Sequence, residues 1–361
     1  MKSITLFITA MSSGGAEHQL STLASFLVEK GYDVSLVTFA DLEDHYNMPK
    51  EIKRIRLAEG KSKLIKLFAI YKYFFTCKTD CVISFGARDN TLCLGPLALR
   101  PEIKVLAGER CATFNGLTWY KKLNYKLLYK RADYIVPNSF TQKEEIKSIN
   151  PKYDSKTVTI TNYTDTSEYS VVEAPINDKI EIGIFCRYST QKNYSRFTEV
   201  VKKLKDQNYS FHVTWYGNKQ TKSMPNVDYT TFAELVKKNE LQDVLTLNDH
   251  TKNVSGLIPT FDALCLPSLA EGFSNSISEY ICCGKPVLCS DVADNGIMVK
   301  NGVNGFLFDP TNIDDMVNAF VKFFNLTQQE REKMGKKSRV RAEQLFDKER
   351  FVGSYIELIE K

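Results

Sequence analysis

Two glutamates, Glu271 and Glu279, bracket seven residues in the run Pro267-Ser268-Leu269-Ala270-Glu271-Gly272-Phe273-Ser274-Asn275-Ser276-Ile277-Ser278-Glu279. An ionised carboxylate only accepts hydrogen bonds, so such a pair can read the hydroxyls of a polyhydroxylated ligand. Between them Ser274 or Asn275 suits a helix N-cap, and Ile277, Tyr280 and Ile281 recur at a helical period. The spacing therefore predicts a helix from near Asn275, with Glu279 off its apolar stripe and Glu271 in the loop ahead. First-turn amides, from Asn275 to Ile277, then lie between the carboxylates, where a helix start can receive a diphosphate. One carboxylate would lie toward a sugar and the other toward a ribose. The plainer alternative is a loop glutamate and an unrelated surface glutamate. Cap, glycine and spacing together favour the site.

A second set, Arg187-Tyr188-Ser189-Thr190-Gln191-Lys192-Asn193, follows the strand-like run ending at Cys186 and precedes a helix with Asn193 at its cap. Arginine offers a rigid fork to phosphate oxygens and lysine a mobile charge. Together Arg187 and Lys192 could hold a diphosphate and stabilise the negative charge that grows on a departing nucleotide. A solvated loop is the alternative. A third set, Ser12-Ser13-Gly14-Gly15-Ala16-Glu17, links the first strand to a helix. It is either a tight turn or a place where backbone approaches a ligand closely. It lacks the G-x-G-x-x-G spacing of dinucleotide-binding loops. His18 reads as a surface or packing residue.

Elements that could position these groups alternate along the chain. Strand-like runs fall near 3–10, 33–39, 80–85, 104–108, 133–137 and 157–161, then near 180–186, 211–217, 244–248, 262–267 and 286–289. Helical patterns cover 16–30, 61–76, 119–131, 140–149, 194–206, 230–239, 254–260 and 275–283, and three more fill 312–361 with breaks near Leu326-Thr327 and Phe346-Asp347. Such alternation argues an α/β fold with parallel sheets. The polar, Pro-containing stretch Val171–Asp178 reads as a linker. The expected division is 1–172, 179–345, and a last helix 346–361. Two Rossmann-like halves would face each other across a cleft, with ligands at the carboxyl ends of their strands.

The paired glutamates, the Gly14-Gly15-Ala16-Glu17 loop, Arg187 with Lys192, Tyr216-Gly217 and Asn301-Gly302-Val303-Asn304-Gly305-Phe306-Leu307 resemble, in order and spacing, glycosyltransferase family 4. These are retaining enzymes of the GT-B architecture, also described as glycosyl transferases group 1. The resemblance covers essentially the whole chain, most specifically its C-terminal half. It implies that Arg187 and Lys192 clamp the leaving diphosphate, that Glu271 binds the donor sugar and that Glu279 binds the ribose. Gly217, Phe273 and Ser274 join this donor site, Asn275 and Ser276 supply helix-start amides, and Gly14 and Gly15 close over the donor from the other domain. It also implies that His250–Val254 cradles the base and that the last helix, with Phe351 and Tyr355, crosses back onto the first domain. Many relatives carry a histidine where this chain has Ala107-Gly108-Glu109-Arg110-Cys111. Glu109 and Arg110, with Asn138, take the acceptor side instead.

The reaction that the resemblance implies is metal-independent transfer from a UDP- or GDP-sugar to a glycan, lipid-linked in bacterial capsule, O-antigen or exopolysaccharide assembly. No Asp-x-Asp pair is present. A nucleotide-sugar epimerase and a silent nucleotide-sugar-binding protein are the rival readings.

At 361 residues the chain suits two domains. A net charge of +5 is too mild for a nucleic-acid binder. The apolar start flows into the glycine loop and reads as a buried strand rather than a leader, and no run approaches the length of a membrane span. Nine scattered cysteines then read as reduced thiols of a cytoplasmic protein, with no metal site among them. Residues 61–75 and 119–131 combine lysines with aromatics at helical spacing. They are either helices packed on a sheet or amphipathic helices lying in an anionic membrane surface at the inner face of the plasma membrane.

Overall fold

The computed structural model describes residues 2–12, 14–110, 116–172, 178–221 and 224–361. They form two compact units. The first comprises Met1–Tyr163 with Lys348–Lys361, the second Thr164–Asp347. The chain thus changes unit at Tyr163, ahead of the Val171–Asp178 stretch expected as a linker, of which 173–177 lie outside the described residues.

The first unit is built on β1 (Ser3–Phe7), β2 (Asp33–Thr38), β3 (Lys53–Arg56), β4 (Cys81–Phe85), β5 (Lys104–Glu109) and β6 (Tyr134–Pro137), in the order β3-β2-β1-β4-β5-β6 and wholly parallel. The edge strand β3 reads Lys-Arg-Ile-Arg and carries no apolar run, so sequence patterning passes over it. Its Arg54 is held instead by Asp44, 2.7 Å away. The strand expected at 157–161 reduces to one bridge, between Ile135 and Thr157.

Right-handed crossovers put the helices that follow β3, β4 and β5 on one face of this sheet. These are Lys63–Thr76, Ala87–Leu97 and Trp119–Lys126; the first packs on the second and the second on the third. Of the apolar positions that suggested an amphipathic helix at 64–75, only Phe74 turns into the core, with Ile70, while Leu64, Leu67, Phe68, Tyr71 and Phe75 face outward. In the helix from Trp119 the inner face carries Tyr125 and also Lys121, which is buried.

The second unit repeats the plan with β7 (Ile180–Phe185), β8 (Phe211–Tyr216), a two-residue hairpin of β9 (Gln220–Thr221) and β10 (Met224–Pro225), β11 (Leu245–Asn248), β12 (Ala263–Leu266), β13 (Val287–Ser290) and β14 (Gly305–Phe308). Its main sheet runs β11-β8-β7-β12-β13-β14, again wholly parallel. Counted within the unit, this is the first unit's strand order. In both sheets the direction of winding reverses beside the first strand, between β1 and β4 and between β7 and β12. Ligands of open α/β sheets bind at that point, outside the carboxyl ends of the strands. Trp215, Phe197 and Phe232 fill the core beneath β7 and β8.

Two glycines inside helices make opposite predictions. In the helix Gln328–Leu345, a Cβ on Gly335 would overlap the carbonyl oxygen of Gly284 and lie 3.4 Å from Pro286 Cδ. Gly284 has a φ of +66° in the turn leaving the helix Asn275–Cys282, so its backbone cannot easily yield. Gly335→Ala is expected to lower stability by about 1–3 kcal/mol. Gly353, in the helix Lys348–Glu360, faces open space, with nothing within 4 Å of the place a Cβ would take, and Gly353→Ala is expected to add up to about 1 kcal/mol. Thermal unfolding of the two variants checks the contrast.

Candidate active site

The loops after β7 and β12 meet at the switch point of the second sheet. Lys192, in the short turn Thr190–Lys192, forms an ion pair with Glu271, and each side chain is only 11% exposed. Two further bonds join the loops. Gln191 Nε2 donates to the Ala270 carbonyl at 2.8 Å, and the Leu269 amide donates to the Gln191 carbonyl at 2.8 Å. Gln191 went unnoticed in the sequence, because an amide in a loop gives no pattern. It positions both charged partners.

Arg187 is exposed and pairs with no described residue. Its neighbour Tyr188 fixes the loop from below, donating its hydroxyl to the carbonyls of Trp215 and Asn248 at 2.8 and 2.6 Å. Asn193 does not act as the expected side-chain cap. Its backbone is left-handed at φ 61°, and its amide donates to the Pro310 carbonyl at 2.8 Å, tying this loop to the end of β14.

The helix Asn275–Cys282 begins where the sequence placed it. Ser274 is its N-cap, accepting from the Ile277 amide at 3.4 Å, and Ile277, Tyr280 and Ile281 are buried. Its start is anchored on the last residue of β7. Ser276 Oγ donates to the Phe185 carbonyl at 2.9 Å, and the Phe185 amide donates to the Tyr280 hydroxyl at 2.8 Å. The first-turn amides are thereby held at the crevice. Phe273 is buried against Phe346. Gly217 lies just past β8, where a Cβ would come within 2.7 Å of the Cys186 carbonyl. Any side chain there would push β8 away from the start of the Arg187 loop.

Glu279 keeps some accessible surface, yet the protein encloses its carboxyl and burial pushes the pKa up to about 8. No described residue donates to it. An enclosed carboxylate without donors is costly, and ligand hydroxyls would relieve that cost. Behind this helix, Arg339 Nη1 donates to the carbonyls of Cys282, Thr166 and Tyr169 at 2.8–3.0 Å, clamping the segment that enters the unit onto the helix C-terminus. His250, expected near a base, is exposed beside Asp249, 3.3 Å away.

In the first unit, Gly14 and Gly15 open the helix Gly15–Glu29 at the carboxyl end of β1. The Glu17 carboxylate folds back over Gly14, accepting from Ser12 Oγ at 2.9 Å, and a Cβ on Gly14 would overlap it. His18 stacks on Tyr46 at 5.2 Å, a packing role as expected. Glu109, at the end of β5, is fully buried. Tyr129 donates to one carboxyl oxygen and Gln142 Nε2, at 3.5 Å, to the other. Burial pushes its pKa up to about 7, with Lys121 and Tyr129 opposing. Arg110 stacks on Phe85 at 3.9 Å, donates to the Tyr355 hydroxyl and leaves Nε and Nη1 without a partner. Asn138, buried just past β6, donates weakly to Asn162 at 3.4 Å.

Residues 165–341 match the family model described as glycosyl transferases group 1. The second unit is a group 1 glycosyltransferase domain. The chain is 24% identical over 312 residues to the N-acetylgalactosamine-N,N'-diacetylbacillosaminyl-diphospho-undecaprenol 4-alpha-N-acetylgalactosaminyltransferase of Campylobacter jejuni, covering 81% of each chain. It is 26% identical over 300 residues to the UDP-Gal:alpha-D-GlcNAc-diphosphoundecaprenol alpha-1,3-galactosyltransferase of Escherichia coli, covering 76% of this chain and 73% of that one. The solved structure of Anabaena HepE with UDP-glucose superposes at a TM-score of 0.82 and 15% identity, covering all of both chains. The expected GT-B class therefore stands, with the last helix, through Phe351 and Tyr355, packed into the first unit.

Among the described residues of the glycosyltransferase, no helix is long and apolar enough to cross a membrane. The eight described cysteines are free, seven of them buried.

Proposed function

We propose that this glycosyltransferase moves a sugar from a UDP- or GDP-sugar to a glycan carried on a polyprenyl diphosphate, with retention of configuration and without a metal ion. The observation that carries the reading is the buried Lys192–Glu271 pair, set beside the anchored start of the Glu279 helix at the second sheet's switch point. The two undecaprenol-linked relatives support the acceptor class, and the UDP-glucose complex of HepE supports the donor class.

In the proposed step the bond between the anomeric carbon and the leaving phosphate oxygen breaks. The acceptor oxygen attacks from the same face, and its proton passes to that phosphate. The protein's share is positioning and charge stabilisation. Lys192, aimed by Glu271 and assisted by the exposed Arg187, receives the diphosphate with the first-turn amides. Glu271 reads sugar hydroxyls and Glu279 the ribose. Gly14 and Gly15 are assigned to the donor and Arg110 and Asn138 to the acceptor, with Glu109 holding the strand end beneath them.

Hydrolysis of a nucleotide-sugar panel, with Glu271→Ala as the control, tests the reading. Loss in the variant is expected, and unchanged hydrolysis sinks it. The ribose role has a separate readout. A carboxyl with a pKa near 8 is mostly protonated at pH 7, and hydroxyl donors favour its ionised form. Donor binding at pH 7 should therefore release a proton, and Glu279→Gln should abolish that release and weaken binding about tenfold or more. Calorimetry in buffers of different ionisation enthalpy measures both.

A further inference from the structure

We propose that the outward face of the helix Lys63–Thr76 is a docking surface for an anionic lipid bilayer. The proposal does not depend on the donor chemistry.

This helix is apolar on two sides. Ile70 and Phe74 satisfy the core, as one amphipathic face requires. The side next to it, roughly a quarter-turn round the helix, presents Leu64, Leu67, Phe68, Tyr71 and Phe75, spaced at three, four, seven and eleven residues from the first, which is a second continuous stripe. Leu64 is 80% exposed and Phe68 71%. Packing on the sheet does not explain them, since Ile70 and Phe74 are buried against it while these five stay exposed. Single exposed apolar residues are ordinary, but a contiguous stripe marks an interaction site.

Charge selects the occupant. No acidic residue occurs between Lys61 and Thr79, while five lysines do. Lys66 is paired with Asp41 at 2.5 Å, whereas Lys61, Lys63 and Lys72 are exposed and pair with no described residue. Lys61 and Lys63 lie at the helix's N-terminal end and Lys72 one turn beyond Phe68, basic residues beside an apolar stripe as in a helix lying in the plane of a negatively charged interface. A second copy of this chain would bring the same positive charge against itself. The same face of the sheet carries the helix from Trp119, whose indole is 72% exposed, with Lys122 and Lys126 also exposed. Tryptophan favours the depth of lipid headgroups.

Trp119 also supplies the assay. The chain has two tryptophans, and the other, Trp215, is fully buried in the second unit. Vesicles of phosphatidylglycerol and phosphatidylcholine should shift the emission to the blue and, when doped with brominated lipid, quench it. Pure phosphatidylcholine should do neither. The double variant Leu64→Asp/Phe68→Asp removes no core contact and should lose at least tenfold in co-sedimentation with the anionic vesicles. The triple variant Lys61→Gln/Lys63→Gln/Lys72→Gln should lose binding by a similar factor, and both should retain donor hydrolysis. Equal binding to neutral and anionic vesicles, or undiminished binding by the double variant, would overturn the proposal. So would a vesicle-free wild-type dimer that the double variant converts to monomer, which would make a second copy the occupant.

Discussion

Lys192→Ala is expected to lower the rate of sugar transfer by about 10²–10³-fold, the usual cost of removing one preorganised donor to developing charge. It should also destabilise the second unit by about 3–5 kcal/mol, because Glu271 is then left as a buried, unpaired carboxylate. The two losses have different causes, and a second variant separates them. In Lys192→Ala/Glu271→Ala no buried charge remains, so much of the stability should return. Transfer should not return if, as proposed, Lys192 is the diphosphate cation and Glu271 the sugar ligand. Calorimetric unfolding and single-turnover transfer measure the two effects. A double variant that regains transfer along with stability would show that the pair serves the fold and not the reaction.

Glu109→Gln should make the first unit more stable at pH 8, by on the order of 3 kcal/mol, and leave it nearly unchanged at pH 4.5. The carboxyl has an ordinary value of 4.5 and rises to about 7 in the folded chain, chiefly through burial. Between those values the folded state holds a proton that the unfolded state has released. Stability must therefore fall as pH rises through that window and level off above it. Glutamine keeps the shape and an oxygen for Tyr129 to donate to, and Gln142 can present either end of its amide to the new group. Asp89 follows the same logic independently. It is buried, accepts from Thr9 Oγ1 at 2.6 Å and is pushed up to about 7, so the variant should remove part of the pH slope rather than all of it. Chemical denaturation at pH 4.5, 6 and 8 tests this. Parallel curves for wild type and variant would refute it.

The proposed donor side of this molecule was legible because its signals are local. A strand, a short loop and a capped helix occupy consecutive residues, so Glu271, Ser274 and Glu279 could be placed by spacing alone, and Arg187 and Lys192 by their position after a strand. What stayed hidden depends on residues far apart in the chain. The pairing of Lys192 with Glu271, the Gln191 bonds to the second loop and the anchoring of Tyr280 on Phe185 all span more than seventy positions. Burial was equally opaque at Glu109 and Lys121, which polarity would place at the surface, and at the stripe of helix Lys63–Thr76, which hydrophobicity would place inside. Elements with weak patterning were missed for the same reason. The strand β3 is almost all cationic, and the helix Ala87–Leu97 is broken in pattern by Asp89, Asn90 and Pro96.

The helix Lys348–Glu360 belongs to the first unit, where Phe351 meets Phe26 and Tyr163, and Lys348 pairs with Glu29 at 2.6 Å. During synthesis it emerges only after the whole of the second unit. At 5–20 residues per second the nascent first unit waits roughly 10–40 s with that apolar face uncovered. The second unit can fold on the ribosome in that interval, and the unit translated first is the one completed last.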